Sequence, residues 1–233
     1  MITPLANFQK IIPPGQRGFF LCLEGGEGVG KTTQIKALEQ LFTTAGYEVV
    51  RTREPGSCPS ALEIRKLLVE GATNRWDSTA ETLLFYTARH ENLRHVIRPA
   101  LAAQKVVIAD RFALSTLVYQ SLRGVNLDFI KAVHHAVVGV TNPDLTLVLD
   151  APVAVALKRS LRHDNQENRF ELLGAEFHEK VRQGYLAGAQ HAQYKNLAPE
   201  AAIIDAHQSP EQVTQALIQA LERWAQQRLH LSA

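Results

Sequence analysis

Short apolar runs punctuate the chain at positions 19–23, 48–52, 106–109, 145–149 and 201–204. Strands that are nearly continuous in apolar residues belong to a parallel sheet covered on each side, because neither face meets water. Between the runs, apolar residues recur at three- and four-residue intervals, the repeat of a helix with one buried face. That repeat predicts helices over 33–43, 61–69, 128–138, 153–161, 175–192 and 211–224. It also predicts a long helix between 77 and 104 whose buried face carries Leu83, Leu84, Leu93, Val96, Ile97, Ala100 and Leu101. Ser209 and Pro210 suit the cap and first turn of the last helix. Strand and helix alternate, which implies an α/β fold: a doubly wound, five-stranded parallel sheet with helices on both faces. Residues 1–18 hold Pro4, Pro13 and Pro14 and show no periodicity, so they read as an N-terminal extension that is flexible or hugs the surface. The polar stretch 163–168 reads as an exposed turn or short mobile loop.

Composition narrows the function classes. With 233 residues, 45% of them apolar and 21% charged, the chain is neither disordered nor fibrous and suits one domain. A formal net charge of +2 is too small to drive nucleic-acid or membrane binding by bulk electrostatics, so neither partner is expected. Two cysteines, Cys22 and Cys58, form neither a disulfide framework nor a metal-ligand spacing, which points to a reducing compartment. No apolar run approaches the ~20 residues that span a bilayer, and residues 1–18 do not follow the pattern of a secretory signal. The expected location is cytoplasmic.

Directly after the first apolar run comes Gly25-Gly26-Glu27-Gly28-Val29-Gly30-Lys31-Thr32-Thr33. Gly25, Gly30, Lys31 and Thr32 satisfy the G-x-x-x-x-G-K-[ST] pattern in its strand–loop–helix setting. Such a loop turns successive backbone N–H groups toward a polyphosphate at a helix N-terminus. Lys31 adds a point charge, and Thr32 a hydroxyl for Mg²⁺. Two other apolar runs end in an aspartate, Asp110 and Asp150. Either could orient Mg²⁺ through its waters. Asp110 is favoured because Arg111 follows it, so a metal-side carboxylate and a phosphate-side guanidinium would emerge together at a strand's carboxyl end. Asp150, ahead of Pro152, also suits a helix cap.

Further motifs follow in order: Thr52-Arg53-Glu54-Pro55-Gly56, Phe85-Tyr86-Thr87-Ala88-Arg89, Asp110-Arg111, Ser115-Thr116, Tyr119-Gln120 and Asn142-Pro143-Asp144-Leu145. Together with the phosphate loop, this combination resembles the thymidylate kinase family from about residue 19 to about residue 224. The resemblance implies a P-loop kinase fold, a nucleoside monophosphate kinase domain over 19–228 with a lid near 158–170, and a homodimer packed through helices including that around 79–103. It implies transfer of the γ-phosphoryl of ATP to dTMP, giving dTDP and ADP for dTTP synthesis, with Mg²⁺ as cofactor held near Thr32 and Asp110. It also implies that residues 25–33 bind ATP. Phe85 and Arg89, four apart on one helix, then stack on the base and bond its exocyclic carbonyl. Arg53 and Arg111 clamp the acceptor phosphate, and Glu27 lies near the acceptor's 3′-hydroxyl. Tyr119 crowds the 2′ position, while Thr116 and Gln120 read the base.

By resemblance to the family's bacterial form, lid arginines supply the charge that Glu27-Gly28-Val29 lacks. Lys158, Arg159, Arg162 and Arg169 are the basic residues there. Arg159 and Arg169 are the first candidates to act beside Lys31 and Arg111 in catalysis, with Arg162 a third. Asn168-Arg169-Phe170-Glu171 departs from the Asp-Arg start seen in many relatives. Two alternatives remain at this level: a kinase for another nucleoside monophosphate, and a partition-type P-loop switch ATPase. The second would need a lysine where the loop has Gly26.

Overall fold

The computed structural model describes residues 5–72, 74–160 and 174–231. Five strands, β1 (Phe19–Glu24), β2 (Val49–Arg53), β3 (Val106–Asp110), β4 (Leu145–Asp150) and β5 (Ala201–Asp205), form one parallel sheet in the order β2-β3-β1-β4-β5. The strand order reverses at β1, so the crevice beyond its carboxyl end is where such sheets bind ligands.

The two-residue repeat of a strand splits the apolar residues of the central strands between two cores. Phe19, Leu21 and Leu23 of β1, with Val106 and Ile108 of β3, face α2 (Lys31–Thr44) and α10 (Pro210–Leu231). Phe20, Cys22, Val107 and Ala109 face the other way, among α4 (Ser78–Asn92), α6 (Ala113–Leu122), α7 (Leu127–Val138) and α9 (Gly174–Gln190). Two shorter helices, α3 (Pro59–Val69) and α8 (Val153–Ser160), follow β2 and β4. Ser209 and Gln212 exchange bonds of 3.1 and 3.3 Å at the start of α10, a reciprocal cap.

Four features depart from the sequence pattern. Residues before β1 are more ordered than their composition suggests. Helix α1 (Ala6–Ile11) packs against α10, with Leu5, Phe8 and Ile12 fully buried, and the Tyr47 hydroxyl donates to the Ile12 carbonyl at 2.6 Å. The segment predicted as one long helix is α4, a π turn (Leu93–Ile97) and α5 (Arg98–Ala102). Pro99, without an N–H, cannot continue a regular helical ladder, and the widened turn just before it accommodates the break. Leu83, expected on the buried face, is 46% exposed, whereas Glu81, Thr82, Arg89 and Asn92 are buried. Of these, Arg89 lines the ligand cleft, while Glu81 and Asn92 bond to Gln120 and Thr52. Helix α6 itself was not delimited by periodicity, since seven of its ten residues are buried.

Candidate active site

A cleft of about 440 Å³ opens beyond the carboxyl ends of β1, β2 and β3. Its floor is the loop between β1 and α2. Gly25 at φ 135° places its Cα where a Cβ would come within 2.5 Å of the Leu149 carbonyl oxygen, so only glycine fits. Lys31 opens α2 and folds back over the loop, its Nζ donating to the carbonyls of Gly25 and Gly26 at 3.0 and 2.9 Å. Burial and the neighbouring Arg111 cation lower the Lys31 ammonium below its usual range. Thr32 and Thr33 stand exposed beside it on the cleft wall.

Arg111 follows β3 with φ 69°, a left-handed conformation that is uncommon outside glycine and that marks a constrained position. Its guanidinium meets Glu27 Oε1 at 2.7 Å, the Gly25 carbonyl at 3.0 Å, Ser115 Oγ at 3.2 Å and the Tyr185 hydroxyl at 2.7 Å. Burial favours the neutral acid of Glu27, yet Arg111 and Lys31 outweigh it and hold the carboxyl below its usual range. Tyr119 reaches Glu27 at 3.5 Å and packs beneath the Arg111 cation. The site's phosphate end is thus a web in which the Glu27 carboxylate faces the Arg111 and Lys31 cations.

At the opposite end, Arg89 of α4 is 1% exposed. Its Nε donates to Glu54 Oε2 at 2.7 Å and its Nη2 to Thr116 Oγ1 at 2.9 Å, while the rings of Tyr86 and Phe112 cover its faces. Burial opposes the charge, but Glu54 more than offsets it and keeps Arg89 protonated. Phe85, Thr116 and Gln120 complete this part of the lining, and Arg53 lines the cleft as well. Asp77 caps α4 by accepting from the N–H groups of Thr79 and Ala80, which fixes where Phe85 and Arg89 fall one turn apart.

The cleft brings together Glu27, Gly28, Gly30, Lys31, Thr32, Thr33, Arg53, Phe85, Arg89, Asp110, Arg111, Thr116, Tyr119, Gln120 and Arg159. Gly26 and Val29 line a small adjacent depression, and Gly25 takes part through its carbonyl. Arg162 and Arg169 lie outside the described residues, as do 161–170 of the expected lid. The two strand-end aspartates differ in their surroundings. Asp150 accepts two bonds from Arg182, at 2.7 and 3.0 Å, whereas Asp110 Oδ1 is buried with no hydrogen-bond partner among the described residues.

Several residues here carried no sequence signal of a role. Glu24, the buried end of β1, accepts from the N–H groups of Phe112 and Ser115 and from Ser115 Oγ, pinning the start of α6. Burial pushes its carboxyl above the usual range. Tyr185 and Arg182 come from α9, which approaches α6 closely because Gly188 leaves room for the Leu114 side chain. In sequence both look like ordinary helix positions. Glu54 stood inside a noted motif, but only the fold sets it against Arg89.

The family model for thymidylate kinase matches residues 23–217. The chain belongs to the thymidylate kinase family. It is 44% identical to a thymidylate kinase of Caulobacter vibrioides over 202 residues, covering 86% of this chain and 94% of that one. A thymidylate kinase of Geotalea daltonii is 45% identical over 181 residues, 75% of this chain and 85% of that one. Among solved structures, the thymidylate kinase from Ehrlichia chaffeensis superposes with a TM-score of 0.69 at 27% identity, covering 88% of this chain and 99% of that one. The five-stranded parallel sheet is that of the P-loop kinase fold in this family. No helix among the described residues is long and apolar enough to cross a membrane.

Proposed function

We propose that the chain transfers the γ-phosphoryl of ATP to dTMP, giving dTDP and ADP. The observation that carries this reading is a single cleft joining a phosphate loop at one end to a buried, neutralised arginine beside an aromatic ring at the other, in a member of this family. Nucleophile and electrophile both bear phosphate, and the attacking oxygen is already ionised at neutral pH. Positioning and electrostatics therefore do the work, with no general base. Lys31 exchanges its loop carbonyls for the phosphates of ATP. Arg111 exchanges Glu27 for the acceptor phosphate, with Arg53 opposite it. Glu27, released, faces the 3′-hydroxyl, and Tyr119 fills the space a 2′-hydroxyl would need. Arg159, at the end of α8, lines the cleft and donates to the Ala206 carbonyl at 3.2 Å. Closure over ATP would turn it toward the transferring group; a catalytic role for Arg169 is proposed from the family resemblance alone.

The residues present fit Mg²⁺. Asp110 has an unpartnered buried oxygen, and Thr32 stands on the same cleft wall. These two would hold the ion with the nucleotide's oxygens, where it neutralises charge on the phosphates. The unpaired Cys22 and Cys58 support a cytoplasmic setting. Exposed Leu62 and Leu67 on α3 and Leu83 on α4 support a homodimer through these packed helices, which light scattering on an eluting column peak would test.

The deciding experiment is a coupled ADP-release assay against a panel of nucleoside monophosphates. It should show dTMP preferred, with UMP poor. Equal or faster turnover of CMP, AMP or GMP would leave a nucleotide kinase with another acceptor.

A further inference from the structure

The end of the cleft away from the phosphate loop contains buried polar atoms that meet no hydrogen-bond partner among the described residues. Gln120 is completely buried in α6, and its Nε2 donates to Glu81 Oε1 at 2.8 Å. Glu81, in the first turn of α4, is also completely buried, and Arg123 Nη1 donates to its two oxygens at 2.7 and 3.0 Å. The carboxylate of an ion pair can only accept. Gln120 must therefore offer its NH₂ to Glu81 and turn its Oε1 the other way. That oxygen is buried without a hydrogen-bond partner, and Gln120 lines the cleft. Arg89 Nη1 is likewise buried and unpartnered, its other nitrogens being occupied by Glu54 and Thr116. Thr116 and Gln120 are one helical turn apart on α6, so the free donor and the fixed acceptor are neighbours.

We propose that Glu81 is a specificity-determining positioning residue. By fixing the Gln120 amide, it makes the cleft select a pyrimidine whose N3 carries a hydrogen beside a carbonyl and reject one with a bare N3 beside an amino group. This rests on, and deepens, the dTMP reading above. Thymine N3–H donates to Gln120 Oε1 while its C4 carbonyl accepts from Arg89. Cytosine sets acceptor against acceptor and donor against donor, leaving buried polar groups unpaired, which is the costly outcome. Without Glu81 the amide is free to turn over, and either edge can be met.

The test is kcat/KM for dTMP and for dCMP in the wild type and in Glu81→Gln, whose new amide can donate or accept. The dTMP/dCMP ratio should fall by about tenfold or more, with the KM for ATP unchanged. In a Gln120→Met background, Glu81→Gln should change the ratio no further. If Glu81→Gln does not fold, as judged by thermal melting, Glu81→Met combined with Arg123→Met replaces the buried ion pair by apolar chains and must show the same fall. An equal loss with both acceptors means Glu81 only supports packing, and overturns the proposal. A wild-type ratio near one overturns the dTMP reading and this inference with it. A wild-type preference that survives the substitution unchanged overturns the role of Glu81 alone.

Discussion

Asp110 and Asp150 each end an apolar strand, and the fold sets different partners against them. Arg182 arrives from α9 and occupies both oxygens of Asp150, while Asp110 keeps one buried oxygen without a partner among the described residues. A carboxylate already in a two-bond ion pair has little left to offer a cation; one with an unpartnered oxygen does. We expect Asp110→Asn to raise the Mg²⁺ concentration needed for half-maximal turnover with little change in the KM for dTMP, measured by titrating Mg²⁺ at saturating ATP. An unchanged titration would move the assignment away from Asp110. Arg89 shows the same dependence on context. As a residue four from Phe85 it could equally have been a solvated face position, and only Glu54, reaching from beyond β2, makes its burial affordable.

Elements carry effects that no single residue shows. Helix α8 ends with Lys158 exposed and Arg159 on the cleft, so its last turn divides basic charge between solvent and site. If Arg159 meets charge that develops in the transition state, Arg159→Ala should lower kcat by up to about 10³-fold with a smaller rise in the KM for dTMP. Steady-state kinetics decide this, and equal small changes in both parameters would mark Arg159 as a bystander. Helix α1 lies on the opposite core. Phe8 packs among Phe19, Phe42, Tyr47 and Trp224 at centroid separations of 4.8 to 6.0 Å. Phe8→Ala should cost about 3–5 kcal/mol of stability, seen in denaturant melts, with kcat unaltered at a temperature where the variant is folded. A short helix whose one buried ring completes a distant aromatic cluster has too few turns to display a period, which is why residues 1–18 read as a flexible or surface-hugging extension.

At the scale of the whole molecule, stability should depend on pH through His134. Burial, then the Arg89 cation, lowers its pKa from 6.5 to about 4, with Nε2 bonded to Asn142 at 3.0 Å and the ring against Tyr86. The unfolded chain takes up a proton near pH 6.5 and the folded one resists it until about 4. Stability is therefore full above the first value and falls by up to about 3 kcal/mol as pH drops toward the second. Melts at pH 7.5 and 5 should show this loss, and His134→Gln should flatten it. Much of the molecule was legible without coordinates. Periodicity alone implied a five-stranded parallel sheet under helices, and the spacing of Gly25, Gly30, Lys31 and Thr32 located the phosphate loop, because both are set by residues adjacent in the chain. Arg53, Phe85, Arg89, Arg111 and Gln120, drawn from four separate segments, were recognisable as a set only through family likeness. The tertiary structure decided which partners complete them: Glu54 for Arg89, Tyr185 for Arg111, Glu81 for Gln120. Such partners lie 35 residues or more away along the chain, where neither helical nor strand period reaches, and a buried charge shows its meaning only through the opposite charge that packing brings to it.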